Sequence, residues 1–122
     1  MKRLLWLPML LISCQPCASA ESLHGFDIDR LSQAIYKAEG GLKAKKPYGI
    51  LSVPCEGKAD CGKICRNTIR NNLKRWDKAG RKEPYLEFLA RRYAPQGVKN
   101  DPNGLNRHWL GNVSSLYNKT KS

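Results

Sequence analysis

Acidic side chains are scarce in this chain. Ten Asp and Glu stand against 22 Lys and Arg in 122 residues, a formal charge of +12. Such an imbalance points to a polyanionic environment. Histidine is nearly absent. His24 and His108 lie far from each other and from the cysteines, and Cys55, Cys61 and Cys65 are spaced C-x5-C-x3-C without a paired C-x2-C unit, so no zinc motif forms. His108 also lacks a Ser, Cys or carboxylate at a meaningful spacing, which leaves it no catalytic role. There is no P-loop, no dinucleotide-binding fingerprint, no internal repeat and no strand alternation of useful length. The chain implies neither a cofactor nor a metal.

Long apolar runs are missing too, with one exception. Leu4 to Ile12 is uncharged, follows Lys2 and Arg3, and is too short for a membrane-spanning helix of roughly 20 residues. Ala18-Ser19-Ala20 then supplies small residues where a signal peptidase needs them. Residues 1–20 therefore read as a signal peptide cleaved before Glu21, and residues 21–122 as a single small domain. A second reading stays open. Leu11-Ile12-Ser13-Cys14 resembles a lipobox, which would leave a lipid anchor at Cys14. The expected location is secreted or periplasmic, or, on the second reading, membrane-anchored as a lipoprotein without an integral span. Loss of Lys2 and Arg3 leaves twenty basic residues against ten acidic ones, a formal charge of +10. Outside the cytoplasm this charge suits cell-wall polymers, lipopolysaccharide, anionic lipid or extracellular nucleic acid, or simply keeps the domain soluble.

An oxidising compartment favours disulfides. The short stretch from Cys55 to Cys65 predicts one bridge, with Cys55–Cys61, Cys55–Cys65 and Cys61–Cys65 all open.

The rest predicts a mainly α domain. Asp27 is placed to cap a first helix running to about Glu39, with Ile28, Leu31, Ile35 and Ala38 on one face and Gly40-Gly41 as the stop. Residues 42–61 read as loop, with an extended run from Tyr48 to Val53 suited to a small hairpin. A second helix fits 62–79 with Cys65, Ile69, Leu73 and Trp76 inward. Pro84 opens a third at its first position, with Tyr85, Leu86, Phe88, Leu89 and Tyr93 as its apolar face. Leu105, Trp109, Val113 and Leu116 line a fourth, and the tail from Lys119 is expected to fray.

Glu39 is the candidate for chemistry. It emerges beside Ile35 at the carboxyl end of its helix, where the helix dipole disfavours a carboxylate, and partial burial would push its pKa the same way. Lys37, Lys43, Lys45 and Lys46 would oppose this if they approach. A carboxyl kept protonated near neutral pH is what a general acid needs to protonate a leaving glycosidic oxygen.

The run Ala34-Ile35-Tyr36-Lys37-Ala38-Glu39-Gly40-Gly41, followed by Pro47-Tyr48-Gly49-Ile50, resembles the catalytic region of the lysozyme-like superfamily, in particular lytic transglycosylases and goose-type lysozymes. The resemblance extends over about residues 27–117 and departs from the family after the loop, where the usual Gly-Leu-Met-Gln type run is absent. It implies a small lysozyme-like domain with a hairpin or extended segment beside a cleft. Glu39 would be the catalytic residue, and Tyr48, Ser52, Tyr93 and Trp109 substrate-binding. Peptidoglycan glycan strands would be the substrate, with other anionic wall polymers as further partners. Hydrolysis normally needs two carboxyl groups. Beyond Glu39 the candidates are Glu56 and Asp60, in no recognisable motif, so the single-Glu transglycosylase reaction fits better.

A reading from another class rests on the second helix. Lys63, Arg66, Arg70, Lys74, Arg75, Lys78, Arg81 and Lys82 surround a single acid, Asp77, and would let a non-catalytic protein hold an anionic wall polymer or nucleic acid. A solvated helix face is the plainer account of the same residues.

Overall fold

The computed structural model describes residues 21–50, 54–96, 101 and 104–120. The expected signal peptide, Cys14 and Cys17 lie outside the described residues. So does the Leu51-Ser52-Val53 stretch. The described chain is mainly helical: β1 (Ser22–Leu23), β2 (Phe26–Asp27), α1 (Ile28–Ala38), α2 (Gly57–Lys78), α3 (Tyr85–Tyr93) and α4 (Trp109–Lys119), with 3-10 turns at Gly41–Lys43, Pro47–Gly49 and Leu105–His108. None of the described helices is long and apolar enough to cross a membrane.

A hairpin forms ahead of α1, where the sequence did not suggest one. β1 and β2 pair antiparallel, Ser22 opposite Asp27 and Leu23 opposite Phe26. His24 and Gly25, both at positive φ (51° and 85°), form the two-residue loop, which suits the right-handed twist of paired strands. At the expected position, Pro47–Gly49 instead closes a 3-10 turn. Pro47 starts it, and Tyr48 adopts a left-handed backbone (φ 63°) that no strand permits.

Asp27 caps α1 as expected, its Oδ1 accepting the N–H of Arg30 at 3.0 Å. Ile28, Leu31 and Ile35 are fully buried. α2 begins at Gly57, five residues earlier than its apolar pattern indicated. Two local features account for the extra turn. The backbone N–H of Glu56 is accepted by Asp60 Oδ2 at 2.8 Å, and a Cys55–Cys61 disulfide ties the entry to the helix. Cys65 remains a free, buried thiol. The inward row Cys65, Ile69, Leu73, Trp76 is buried as the spacing required.

Pro84 precedes α3 as its N-cap rather than opening it. Tyr85 and Leu89 are buried, and Leu86, Phe88 and Tyr93 pack partly buried against the core. Leu105 does not join the apolar line of α4. It sits in the preceding 3-10 turn, 61% exposed, because the tighter turn breaks the 3.6-residue phase. Trp109 and Val113 are buried as expected, joined by Tyr117. The end of α4 is tied down rather than frayed: Arg30 Nε donates to Thr120 Oγ1 at 3.1 Å and Arg30 Nη2 to the Tyr117 carbonyl at 3.2 Å.

α1 and α4 run antiparallel. Asp27 N–H donates to Tyr117 Oη at one end, and Glu39 meets Trp109 at the other. Two aromatic clusters result. Phe26, Trp76, Tyr85 and Tyr117 gather near the hairpin, with Phe26 5.0 Å from Tyr85 and Trp76 5.3 Å from Tyr85. Tyr36, Tyr48, Tyr93 and Trp109 gather around the far end of α1.

Candidate active site

Glu39 is the C-cap of α1, its backbone N–H bonded to the Ile35 carbonyl at 2.9 Å. The residue therefore sits at the carboxyl end of the helix, the negative pole of its dipole. Gly40 (φ 113°) then turns the chain away.

Two elements meet the carboxyl and a third backs them. From α4, Trp109 Nε1 donates to Glu39 Oε2 at 2.9 Å. From the Pro47–Gly49 turn, the backbone of Gly49 lies against it. A Cβ at position 49 would come within 2.5 Å of Glu39 Cδ, and with φ at 68° glycine is required twice over. From α3, the Tyr93 ring stacks on Trp109, centroids 5.4 Å apart and planes 22° from parallel.

The turn itself is strained and pinned. A left-handed tyrosine backbone costs on the order of 1–3 kcal/mol and persists only where surroundings hold it. Tyr48 is held twice. Its carbonyl accepts the Tyr93 hydroxyl at 2.6 Å, and its buried ring packs on Tyr36 at 5.0 Å. Its hydroxyl reaches the backbone of α2 at Gly62, where a Cβ would lie 2.8 Å from Tyr48 Oη. The absence of a side chain at Gly62 is what lets the tyrosine seat.

Burial pushes the Glu39 pKa above the ordinary carboxylate value, with the Trp109 hydrogen bond opposing it more weakly. Lys37, Lys43, Lys45 and Lys46 are all exposed, and none of them contributes to the shift. The neighbouring groups are neutral in the working range. Burial pushes the Cys65 thiol up to about 12, and it raises the Tyr48 and Tyr93 phenols. Glu39 is thus a desolvated carboxyl with one neutral hydrogen-bond donor, holding its proton more tightly than an ordinary carboxylate.

Of the residues expected at the site, Glu39, Tyr48, Tyr93 and Trp109 come together, and Ser52 lies outside the described residues. Their roles differ from the expectation. Tyr48 and Trp109 are 1% and 5% exposed, so neither offers an open ring face to a sugar. They frame the carboxyl. Tyr93 is half-buried, with its hydroxyl turned inward. Asp60 is spent on the start of α2, and Glu56 is exposed beside it. Gly49 was expected only as part of the segment from Tyr48 to Ser52 beside Glu39, and Gly62 was not singled out. The signal for Gly49 was its place directly after Tyr48, but its contact with Glu39 is not local. Among the described residues, no group of three or more His, Cys, Asp and Glu could hold a metal ion.

No family model, curated protein or solved structure matches the chain.

Proposed function

We propose that the chain is an exported, lysozyme-like enzyme that cleaves peptidoglycan glycan strands, with Glu39 as the single acid/base. The observation that carries this reading is the seat of Glu39. Its carboxyl is desolvated at a helix carboxyl end, bonded by Trp109 Nε1 and pressed against Gly49. In its protonated form Glu39 gives its proton to the glycosidic oxygen between N-acetylmuramic acid and N-acetylglucosamine. As the resulting carboxylate it takes the proton of the sugar's own 6-hydroxyl, whose oxygen closes on the anomeric carbon. The product is a 1,6-anhydro sugar, and no second carboxyl is needed to activate water.

The test is a digest of purified glycan strands read by mass spectrometry, with wild type against Glu39→Gln. Anhydro products from wild type and none from the variant support the reading. Reducing-end sugars from wild type would replace the transglycosylase by a hydrolase. Equal cleavage by both proteins would remove Glu39 from the chemistry. Because the acid must be protonated, the rate should fall as pH rises through the raised pKa of Glu39, leaving activity above the ordinary carboxylate range.

A second reading, a binder of anionic wall polymer or nucleic acid, draws on the outer face of α2. Lys63, Lys74, Arg75 and Lys78 are exposed there. Arg70, however, is held by Glu21 at 2.6 and 2.7 Å, Arg81 by Asp77 at 2.7 Å, and Arg66 faces Asp29 at 3.8 Å. Three of the eight cations thus already have acidic partners within the protein. Neutralising Lys63, Lys74 and Lys78 abolishes function if this reading is correct. It spares cleavage of short soluble glycans if Glu39 is the centre.

A further inference from the structure

We infer that Tyr93 is the positioning residue that holds Glu39 in its reactive seat, because it grips both walls of that seat at once. This rests on the reading of Glu39 as the acid. The Tyr93 hydroxyl donates to the Tyr48 carbonyl at 2.6 Å, and its ring stacks on Trp109. Tyr48 carries Gly49 against one side of the carboxyl, and Trp109 donates its N–H to Oε2. Neither wall is secured by its own chain alone. The Tyr48 backbone is left-handed, a conformation that relaxes once its carbonyl is released. Trp109 stands where the Leu105–His108 3-10 turn joins α4, and its indole is backed from another element by the Tyr93 ring. The same hydroxyl lies 3.4 Å from Cys65 Sγ, so α2 closes the base of the arrangement.

With the hydroxyl removed, the turn is free to lift from Glu39 and admit water. Burial is the leading influence on the carboxyl, so hydration moves its pKa down toward ordinary values. Among the described residues, the groups facing Glu39 from the other elements are Tyr48 on the turn, Cys65 on α2, Tyr93 on α3 and Trp109 on α4. Burial keeps the first three protonated at neutral pH and Trp109 carries no charge, so a change in the profile reports Glu39 itself.

The experiment compares wild type with Tyr93→Phe, which keeps the ring and loses the hydroxyl. Carbon NMR of the Glu39 carboxyl gives its titration without any need for activity. Expected in Tyr93→Phe are a lower Glu39 pKa and an alkaline limb of glycan cleavage shifted the same way. The value of kcat should fall by on the order of ten- to a hundredfold with KM unchanged. Cys65→Ala, which touches the hydroxyl from the other side, should leave the Glu39 titration in place. A lower melting temperature in Tyr93→Phe with an unmoved Glu39 titration would overturn the inference, as would an equal shift in Cys65→Ala. If Tyr93→Phe does not fold, the wild-type protein decides: the Tyr93 ring carbon bearing the hydroxyl should change its shift as Glu39 titrates, and a tyrosine blind to Glu39 overturns the coupling. Absence of glycan cleavage by wild type would defeat the enzymatic reading while leaving the NMR result to stand or fall by itself.

Discussion

The two aromatic clusters use the same side chains for different ends. Each contains one tryptophan with its N–H committed and tyrosines packed around it. Near the hairpin, Trp76 Nε1 donates to the Glu83 carbonyl at 2.6 Å and the Tyr85 hydroxyl to the Ile69 carbonyl at 3.0 Å, so every such handle ends on backbone. At the far end, Trp109 Nε1 ends on a carboxyl. The first arrangement satisfies buried polar groups and rigidifies the core. The second does that and also takes an ionisable group out of water. The contrast extends to the glutamates. Glu21, beside the hairpin, is exposed and gripped by the Arg70 guanidinium, which holds its carboxyl below the usual range. Among the described residues Glu39 has no cation against it, and it is held above. One residue type is tuned in opposite directions by its surroundings.

The sharpest break of this comparison is Glu39→Gln. Glycan cleavage should fall by at least the ~10²–10⁴-fold typical of general acid–base catalysis, measured by product release. Stability should not fall with it. A carboxyl with a raised folded pKa binds its proton better in the native state, so the fold loses stability as pH rises from the ordinary carboxylate value to the folded one. Glu39→Gln removes that loss. At neutral pH the variant should melt no lower than wild type, and the two curves should converge in acid.

Next in size is Gly49→Ala. It forces a methyl group into Glu39 and asks alanine to adopt φ of 68°. A destabilisation of about 1–3 kcal/mol by chemical denaturation is expected, together with loss of cleavage. Wild-type cleavage would show that the turn does not press on the carboxyl.

Trp76→Phe and Trp109→Phe test the two clusters directly. Both should lower stability by about 1–3 kcal/mol through a lost hydrogen bond and lost volume. Only Trp109→Phe should move the Glu39 titration, and it should move it upward, because the indole N–H favours the charged form. A Trp76→Phe variant with an altered Glu39 pKa would erase the distinction between the clusters.

The smallest effect is expected at Glu21→Gln. Its ion pair with Arg70 is surface-exposed and screened, so the melting temperature should barely change, and added salt should abolish what difference there is. With its folded pKa lowered, any contribution is present at neutral pH and lost as pH falls through that value.

The helices were legible where one face carries enough apolar residues to set a phase. Ile28, Leu31 and Ile35 announce α1, and Asp27 and Gly40 mark its ends, because caps and stops act within a few residues. The same holds for the row from Cys65 to Trp76. The hairpin was not legible, since strands of two residues have no alternation to read and only His24-Gly25 marks the turn. The place of Glu39 at the end of α1 was legible too. Its partners were not legible as partners. Trp109 lies 70 residues away, and Tyr93 acts on Tyr48 across 45. Tyr48 and Trp109 read as sugar platforms because aromatic type is visible in a sequence, whereas the direction a ring faces depends on packing between elements.

The clasp of Arg30 on Tyr117 and Thr120 makes α4 a ruler. With its far end fastened to the start of α1, its length decides where the indole of Trp109 arrives. Eleven residues measure about 16 Å, and each residue turns the helix by roughly 100°. Removing one exposed residue such as Asn112 would shorten the ruler by about 1.5 Å and swing the indole about a quarter of a circle away from Glu39, while Tyr117 kept its bond to Asp27. A hydrogen bond at one end of the molecule is thereby metered by a clasp at the other.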